Sequence, residues 1–149
     1  MTRRQRAPEQ WLIADERLSD ELWRAVRRLP RGSGVIVLRE LGVGEQRRLR
    51  HLAALRRLIV VRQDSIVRVH NMRELRAALL GRSPLILVSP LHRTRSHPDS
   101  APLPRMRAAT LARVAGRNTL ALGGMNARRY AKIAALGFIG WAGIDAFRT

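Results

Sequence analysis

Gly123 and Gly124 end a short apolar run, Thr119 to Leu122, and open directly onto a helix-like segment. Glycine lets the backbone approach an anion closely, and the start of a helix favours negative charge. The pattern therefore indicates a binding site for a phosphate group. A tight turn between a strand and a helix is the structural alternative.

Hydroxyl and imidazole groups follow two other apolar runs. The run Leu85 to Val88 leads into a polar segment, Ser89 to Pro98, and the run Ile66 to Val69 ends at His70. A histidine titrates near neutral pH, so His70 is a candidate for moving a proton without a metal. It could equally be a strand-end histidine bonded to a nearby carbonyl. His92 and His97 are second candidates, and His51 lies among arginines on a helix that faces water.

These groups lie between elements that alternate along the chain. Short β-branched or leucine-rich runs are separated by amphipathic stretches, which is typical of βα units around a parallel sheet. Helices are predicted at Glu45 to Leu55 and Asn71 to Leu80, after Pro104, and after Asn126. Seven strands are predicted: Trp11 to Ala14, Val35 to Leu38, Leu58 to Val61, Ile66 to Val69, Leu85 to Val88, Thr119 to Leu122 and Phe138 to Ala142.

One junction breaks the alternation, because only Arg62 to Ser65 separate the third run from the fourth. Parallel neighbours need a crossover of about a dozen residues or more. Either one of the two runs is not a strand of the sheet, or the two pair irregularly. An edge left open here could be covered by a second copy of the chain.

Composition narrows the class of protein. The 149 residues suffice for one domain, predicted over residues 1–149, and no apolar run is long enough to cross a bilayer. The Arg-rich start, Thr2 to Arg6, does not resemble a secretion signal, so we expect a cytoplasmic protein. The absence of cysteine excludes disulfides and thiolate chemistry.

The net charge of +18 raises nucleic acid as a partner. Only Lys132 among the 29 basic residues is lysine, and no recognition motif or aromatic platform accompanies the charge. A solvated basic surface is therefore favoured over an RNA-binding one. Arginine pairs occur throughout the chain, at Arg27-Arg28, Arg47-Arg48, Arg56-Arg57 and Arg128-Arg129.

Three segments together carry a specific resemblance. Ser89 to Pro98 follows the pattern Ser-Pro-x-x-x-Thr-x-Ser-His-Pro, Ala121 to Met125 is Ala-Leu-Gly-Gly-Met, and Gly140 to Phe147 is Gly-x-Ala-Gly-Ile-Asp-Ala-Phe. In order and spacing they resemble the TenI branch of the thiamine phosphate synthase superfamily. The resemblance implies a (β/α)8-type TIM barrel, here truncated by about one βα unit, and a thiazole phosphate or related intermediate of thiamine biosynthesis as ligand.

The resemblance also implies roles for single residues. Gly123 and Gly124 would bind phosphate through backbone amides, with Ala142 and Gly143 opposite and the hydroxyls of Thr94 and Ser96 adding donors. Arg39 and Glu40 match a pair that ends the family's second strand, and His70 matches the tautomerase histidine.

Departures from the family pattern bear on its two activities. The synthase uses two lysines, and Leu41 and His97 stand at those positions. Gln63-Asp64 is the nearest counterpart of its Asn-Asp pair, and the segment with a further acidic ligand is missing. Mg²⁺ is expected only if synthase activity is retained, and otherwise no cofactor or metal is expected.

Three hypotheses follow. The first is a phosphate-binding protein with thiazole tautomerase activity, the second is the synthase, and the third is a catalytically inactive Arg-rich barrel that binds RNA or another polyanion. Polyanion binding weakens steeply as salt rises, whereas a phosphate pocket responds much less.

Overall fold

A computed structural model describes residues 7–148, except for the side chain of Arg117. Thr2 to Arg6, which were predicted not to form a secretion signal, lie outside the described residues. All seven predicted strands are present. Every ladder between them is parallel, and their order in the sheet is β3-β2-β1-β7-β6-β5-β4. The strands are β1 (Gln10–Ala14), β2 (Gly34–Val37), β3 (Ile59–Arg62), β4 (Ile66–Val69), β5 (Leu85–Val88), β6 (Thr119–Leu122) and β7 (Gly140–Gly143).

Within residues 7–148, five α-helices connect the strands. They are α1 (Leu22–Arg28), α2 (Val43–Arg56), α3 (Met72–Leu80), α4 (Arg105–Ala115) and α5 (Ala127–Ala131). The side chains of Asn71 and Asn126 cap α3 and α5 as predicted. The helix after Asn126 was predicted to carry Tyr130, Ile133 and Ala134, but α5 ends at Ala131, before the last two of these residues. Helix α1 was not predicted.

The sheet curls around one interior cluster, to which all seven strands contribute. Its buried members include Trp11 of β1 and Leu87 of β5, and Val61 and Ile66 pack against it from the two edge strands. The outward faces of the strands pack under the helices in two further clusters. The chain therefore forms a curled half-barrel with helices outside, which confirms the truncated TIM-barrel prediction.

The β3–β4 junction is where the barrel departs from a regular one. Both runs are strands, but they occupy opposite edges of the sheet, and a single 3₁₀ turn, Gln63–Ser65, joins them. In the described chain no crossover helix lies between β3 and β4, so Ile59, Val60 and Val67 of these two edge strands remain 37%, 38% and 37% exposed.

All strands run the same way, so their carboxyl ends meet at one edge, where barrel enzymes carry their sites. None of the helices in residues 7–148 has the length and apolar character needed to cross a membrane.

Candidate functional site

A cavity of about 600 Å³ opens at the carboxyl ends of the strands. It is lined by seven of the predicted site residues: His70, Thr94, Ser96, His97, Gly123, Gly124 and Gly143. Residues that follow β4, β5, β6 and β7 thus meet in one place. Ala142 is fully buried in β7 beneath the cavity, and Arg39 and Glu40 do not line it.

The two glycines after β6 adopt a conformation that other residues avoid. Gly123 has φ +103° and Gly124 has φ +58°. A Cβ on Gly123 would lie 2.9 Å from the backbone of both Pro90 and Leu91, so this position also lacks room for a side chain. Within residues 7–148 the amides of both glycines have no hydrogen-bond acceptor, which leaves them available to an anion.

Two backbone hydrogen bonds join the loop after β5 to this glycine turn. The Leu91 amide donates to the Leu122 carbonyl at 2.9 Å, and the His92 amide donates to the Gly123 carbonyl at 3.1 Å. Thr94 and Ser96 follow in the same loop and line the cavity, and their hydroxyl oxygens are 3.3 Å apart.

Arg129 is a site residue that the sequence did not single out. Its Nη1 donates a short hydrogen bond to the Gly124 carbonyl, while its amide donates to Asn126 Oδ1 at 2.8 Å. Arg129 also lines the cavity. A positive charge is thereby held against the turn that carries the two free glycine amides.

The two ring nitrogens of His70 have different surroundings. Its Nδ1 lies 2.7 Å from the Ser89 carbonyl oxygen and 3.4 Å from Ser89 Oγ, and its amide donates to Glu74 Oε2. Because a carbonyl only accepts, Nδ1 carries the proton of the neutral ring. Nε2 is then the basic nitrogen, and the ring lines the cavity.

The other two histidine candidates differ in position. His97 lines the cavity, and its amide donates to Thr94 Oγ1 at 3.2 Å. His92 is not among the residues that line the cavity. Burial, followed by the charges of Arg129 and Lys132, lowers the pKa of His92.

Arg39 lies just after β2 and forms an ion pair with a carboxylate on α2. Its Nη2 lies 2.7 Å from Glu45 Oε1, and Glu45 Oε2 accepts from the Gly42 amide at 3.0 Å. The Gly42 amide and then the Arg39 guanidinium lower the pKa of the Glu45 carboxyl. Arg39, which the resemblance implied for the site, is therefore paired with the carboxylate that caps the start of α2.

The donor set of the cavity does not fit Mg²⁺. This ion prefers carboxylates and phosphate oxygens, and Asp145 is the one carboxylate among the described lining residues. No group of three or more His, Asp or Glu side chains in the described residues could hold a metal. Five arginines line the cavity instead: Arg17, Arg68, Arg93, Arg95 and Arg129.

No protein-family model and no curated protein matches this sequence. Among solved structures, a thiamine phosphate pyrophosphorylase from Pyrococcus furiosus aligns with a TM-score of 0.75. This chain has that enzyme's fold. The alignment covers 95% of this chain and 88% of the enzyme chain at 13% identity, and it confirms the fold that the three motif segments predicted.

Proposed function

We propose that this protein binds a thiazole phosphate-type intermediate of thiamine metabolism and acts on it as a thiazole tautomerase. One observation carries the proposal: the glycine turn, the Thr94 and Ser96 hydroxyls and His70 line the same cavity. The thiamine assignment is supported by the fold shared with the pyrophosphorylase and by the motif resemblance.

The phosphate is proposed to bind at the ends of β6 and β7. The amides of Gly123 and Gly124 donate to its oxygens, and the Arg129 guanidinium adds positive charge. Gly143, the last residue of β7, also lines the cavity. A Cβ at Gly143 would lie 3.2 Å from the Met125 carbonyl oxygen, so a small residue keeps the two loops close together.

The proton transfer is assigned to His70. Its Nδ1–H is fixed by the Ser89 carbonyl, so Nε2 can take a proton from one ring position and return it to another. The step needs no metal, in keeping with a cavity wall that has one carboxylate among its described residues. Synthase chemistry has less support, because the described residues that line the cavity offer no carboxylate cluster for a Mg²⁺-diphosphate.

Titration calorimetry with thiazole phosphate tests the proposed phosphate site at Gly123 and Gly124. Gly124→Ala places a Cβ 3.0 Å from Arg129 Nη1 and 3.1 Å from the Arg93 carbonyl oxygen, so the turn and its arginine must shift. We expect about a tenfold or greater loss of affinity, since charge-assisted bonds are weakened. Gly32→Ala is the matched control, because Gly32 also has positive φ (+81°) and has no atom near its Cβ position.

Equal affinity in the parent and both variants would exclude the glycine turn as the binding site. A repeat at high salt addresses the polyanion hypothesis, because binding through many surface arginines falls log-linearly with salt concentration. Thermal melting of each variant shows that the fold is retained.

A further inference from the structure

Exposed apolar side chains are concentrated around the junction of β3 and β4. Within residues 7–148, nine large apolar residues are at least 37% exposed. Six of them lie between the last turn of α2 and the end of α3: Leu55, Ile59, Val60, Val67, Leu79 and Leu80. Single exposed apolar residues are ordinary, whereas a concentration of them indicates a surface that binds a partner.

Two of these residues point to the outer side of the sheet. Val60 is the register partner of Val35, and Val67 is the register partner of Ile86. Register partners on parallel strands share a face, and Val35 and Ile86 belong to the clusters buried beneath the helices. Val35 and Ile86 are 0% and 1% exposed, but Val60 and Val67 are 38% and 37% exposed. The outer layer of helices is therefore interrupted at Val60 and Val67.

The same surface carries positive charge. Arg62 of β3 is the register partner of Val37, which is also buried beneath the helices, so Arg62 points outward as well. We call Val60, Arg62 and Val67 the outer strip. The neighbouring segments add four exposed arginines: Arg57, Arg73, Arg76 and Arg82. Neither these four nor Arg62 forms an ion pair with a carboxylate of residues 7–148.

The chemistry of the outer strip indicates what covers it. Parallel sheets are normally covered by helices, and a helix packs on a sheet through an apolar stripe. Val60 and Val67 would contact this stripe, and Arg62 with its neighbouring arginines would meet the polar residues beside it. The covering helix should therefore be apolar on one face and carry Asp and Glu next to that face.

Two other partners fit this surface less well. A second copy of the chain would bring the same unpaired arginines against the strip, and each copy has a net charge of +18, so like charges would oppose association. A nucleic acid would contact the arginines through its phosphates, but its backbone has no apolar group to cover Val60 and Val67.

We propose that the outer strip binds an acidic amphipathic helix of a partner protein, in the place where a regular barrel has a crossover helix. None of the three strip residues lines the cavity at the strand ends. The inference is therefore independent of the proposed phosphate site.

Fluorescence anisotropy with labelled peptides at about 0.15 M salt tests the proposal. The test peptide has about 20 residues, which allows partial helix formation in isolation. It carries leucine at i, i+3, i+4 and i+7 spacing, glutamate beside the leucines and alanine elsewhere. The control peptide has the same composition with its leucines distributed around the helix. We expect the patterned peptide to bind about tenfold or more tightly, because it alone presents an apolar face.

A matched pair of variants locates the apolar contact. The double variant Val60→Ser with Val67→Ser should lose the preference for the patterned peptide. Met106→Ser with Val114→Ser should keep it, because these two residues are also apolar and exposed but lie on α4. Thermal melting shows that both double variants are folded.

A second pair of variants tests the charge of the strip. Arg62→Gln should weaken binding of the patterned peptide by about two- to fivefold, which is the range of an exposed ion pair. Arg107→Gln, on the exposed side of α4, should not. A staple between positions i and i+4 of the peptide holds it helical and should tighten binding.

Several results would overturn the inference. The two peptides bind equally, the strip and α4 variants behave alike, or the staple abolishes binding, which would indicate an added strand. A dimer of the parent in sedimentation experiments that is lost in the Val60 and Val67 double variant would assign the strip to a second copy. Duplex RNA binding that is weakened by Arg62→Gln and unchanged in that double variant would assign it to nucleic acid.

Discussion

Replacing Gly123 by alanine should destabilise the protein much more than replacing Gly32. Both glycines have positive φ, +103° and +81°. The two sites differ in space: a Cβ on Gly123 meets the Leu91 nitrogen and the Pro90 Cα at 2.9 Å, while a Cβ on Gly32 has no heavy atom within 4 Å. The pair of variants therefore separates backbone strain from steric crowding.

The expected magnitudes follow from these two terms. A non-glycine residue at unfavourable φ costs about 1 kcal/mol or somewhat more, and overpacking against backbone adds about 1–3 kcal/mol. We expect Gly32→Ala to lower the free energy of unfolding by about 1 kcal/mol and Gly123→Ala by about 3 kcal/mol. For a chain of this length these losses correspond to falls in Tm of roughly 3 °C and 9 °C.

Urea denaturation at 25 °C and calorimetric melting measure both quantities. The m-values of the two variants should match that of the parent, so that the change lies in stability and not in the denatured state. Equal losses for Gly123→Ala and Gly32→Ala would refute the close approach of the β5 loop to the glycine turn, on which the site depends.

Other predictions concern the proton shuttle, the α2 cap and the barrel interior. His70→Gln should lower tautomerase turnover by about 10²-fold with little change in the Kd for thiazole phosphate; full turnover would move the shuttle to His97. The pKa of Glu45 is lowered in the folded protein, so its stabilising effect is present above the pKa of the unfolded chain and is lost as pH falls through the lower folded value. The urea midpoints of parent and Glu45→Gln should therefore differ at pH 7 and converge at strongly acidic pH, and a constant difference would contradict this. Gly34→Ala should prevent normal packing, because its Cβ would lie 2.0 Å from the Trp11 ring, and a melting temperature equal to that of the parent would contradict it.

The strands could be predicted because each is a short, mostly apolar run. Five of these runs are buried by the curled sheet, whereas the two edge strands, β3 and β4, are largely exposed. Helix α1 could have been found as well, since Leu22, Ala25, Val26 and Leu29 recur at helical spacing and all four are buried. The course of the β3–β4 junction could not be predicted. Sequence spacing excludes a crossover helix there, but only the ladders show that the two strands lie at opposite edges of the sheet.

The candidate site likewise has features that the sequence predicts and features that it does not. The glycine turn and His70 were predictable, because each follows a strand and parallel strands end at one edge. The contacts of the Arg39 side chain with the Glu45 carboxylate and of the Arg129 side chain with the Gly124 backbone carbonyl are not specified by motif spacing. The predicted site is therefore positioned largely by backbone topology, and its charge is set by contacts that appear only in three dimensions.

A crystal structure with bound thiazole phosphate tests the central claim most directly. The account predicts phosphate oxygens within about 2.7–3.2 Å of the Gly123 and Gly124 amide nitrogens, with the thiazole ring on the His70 side of the cavity. A phosphate bound outside this cavity, for example on the arginines of α2, would contradict it.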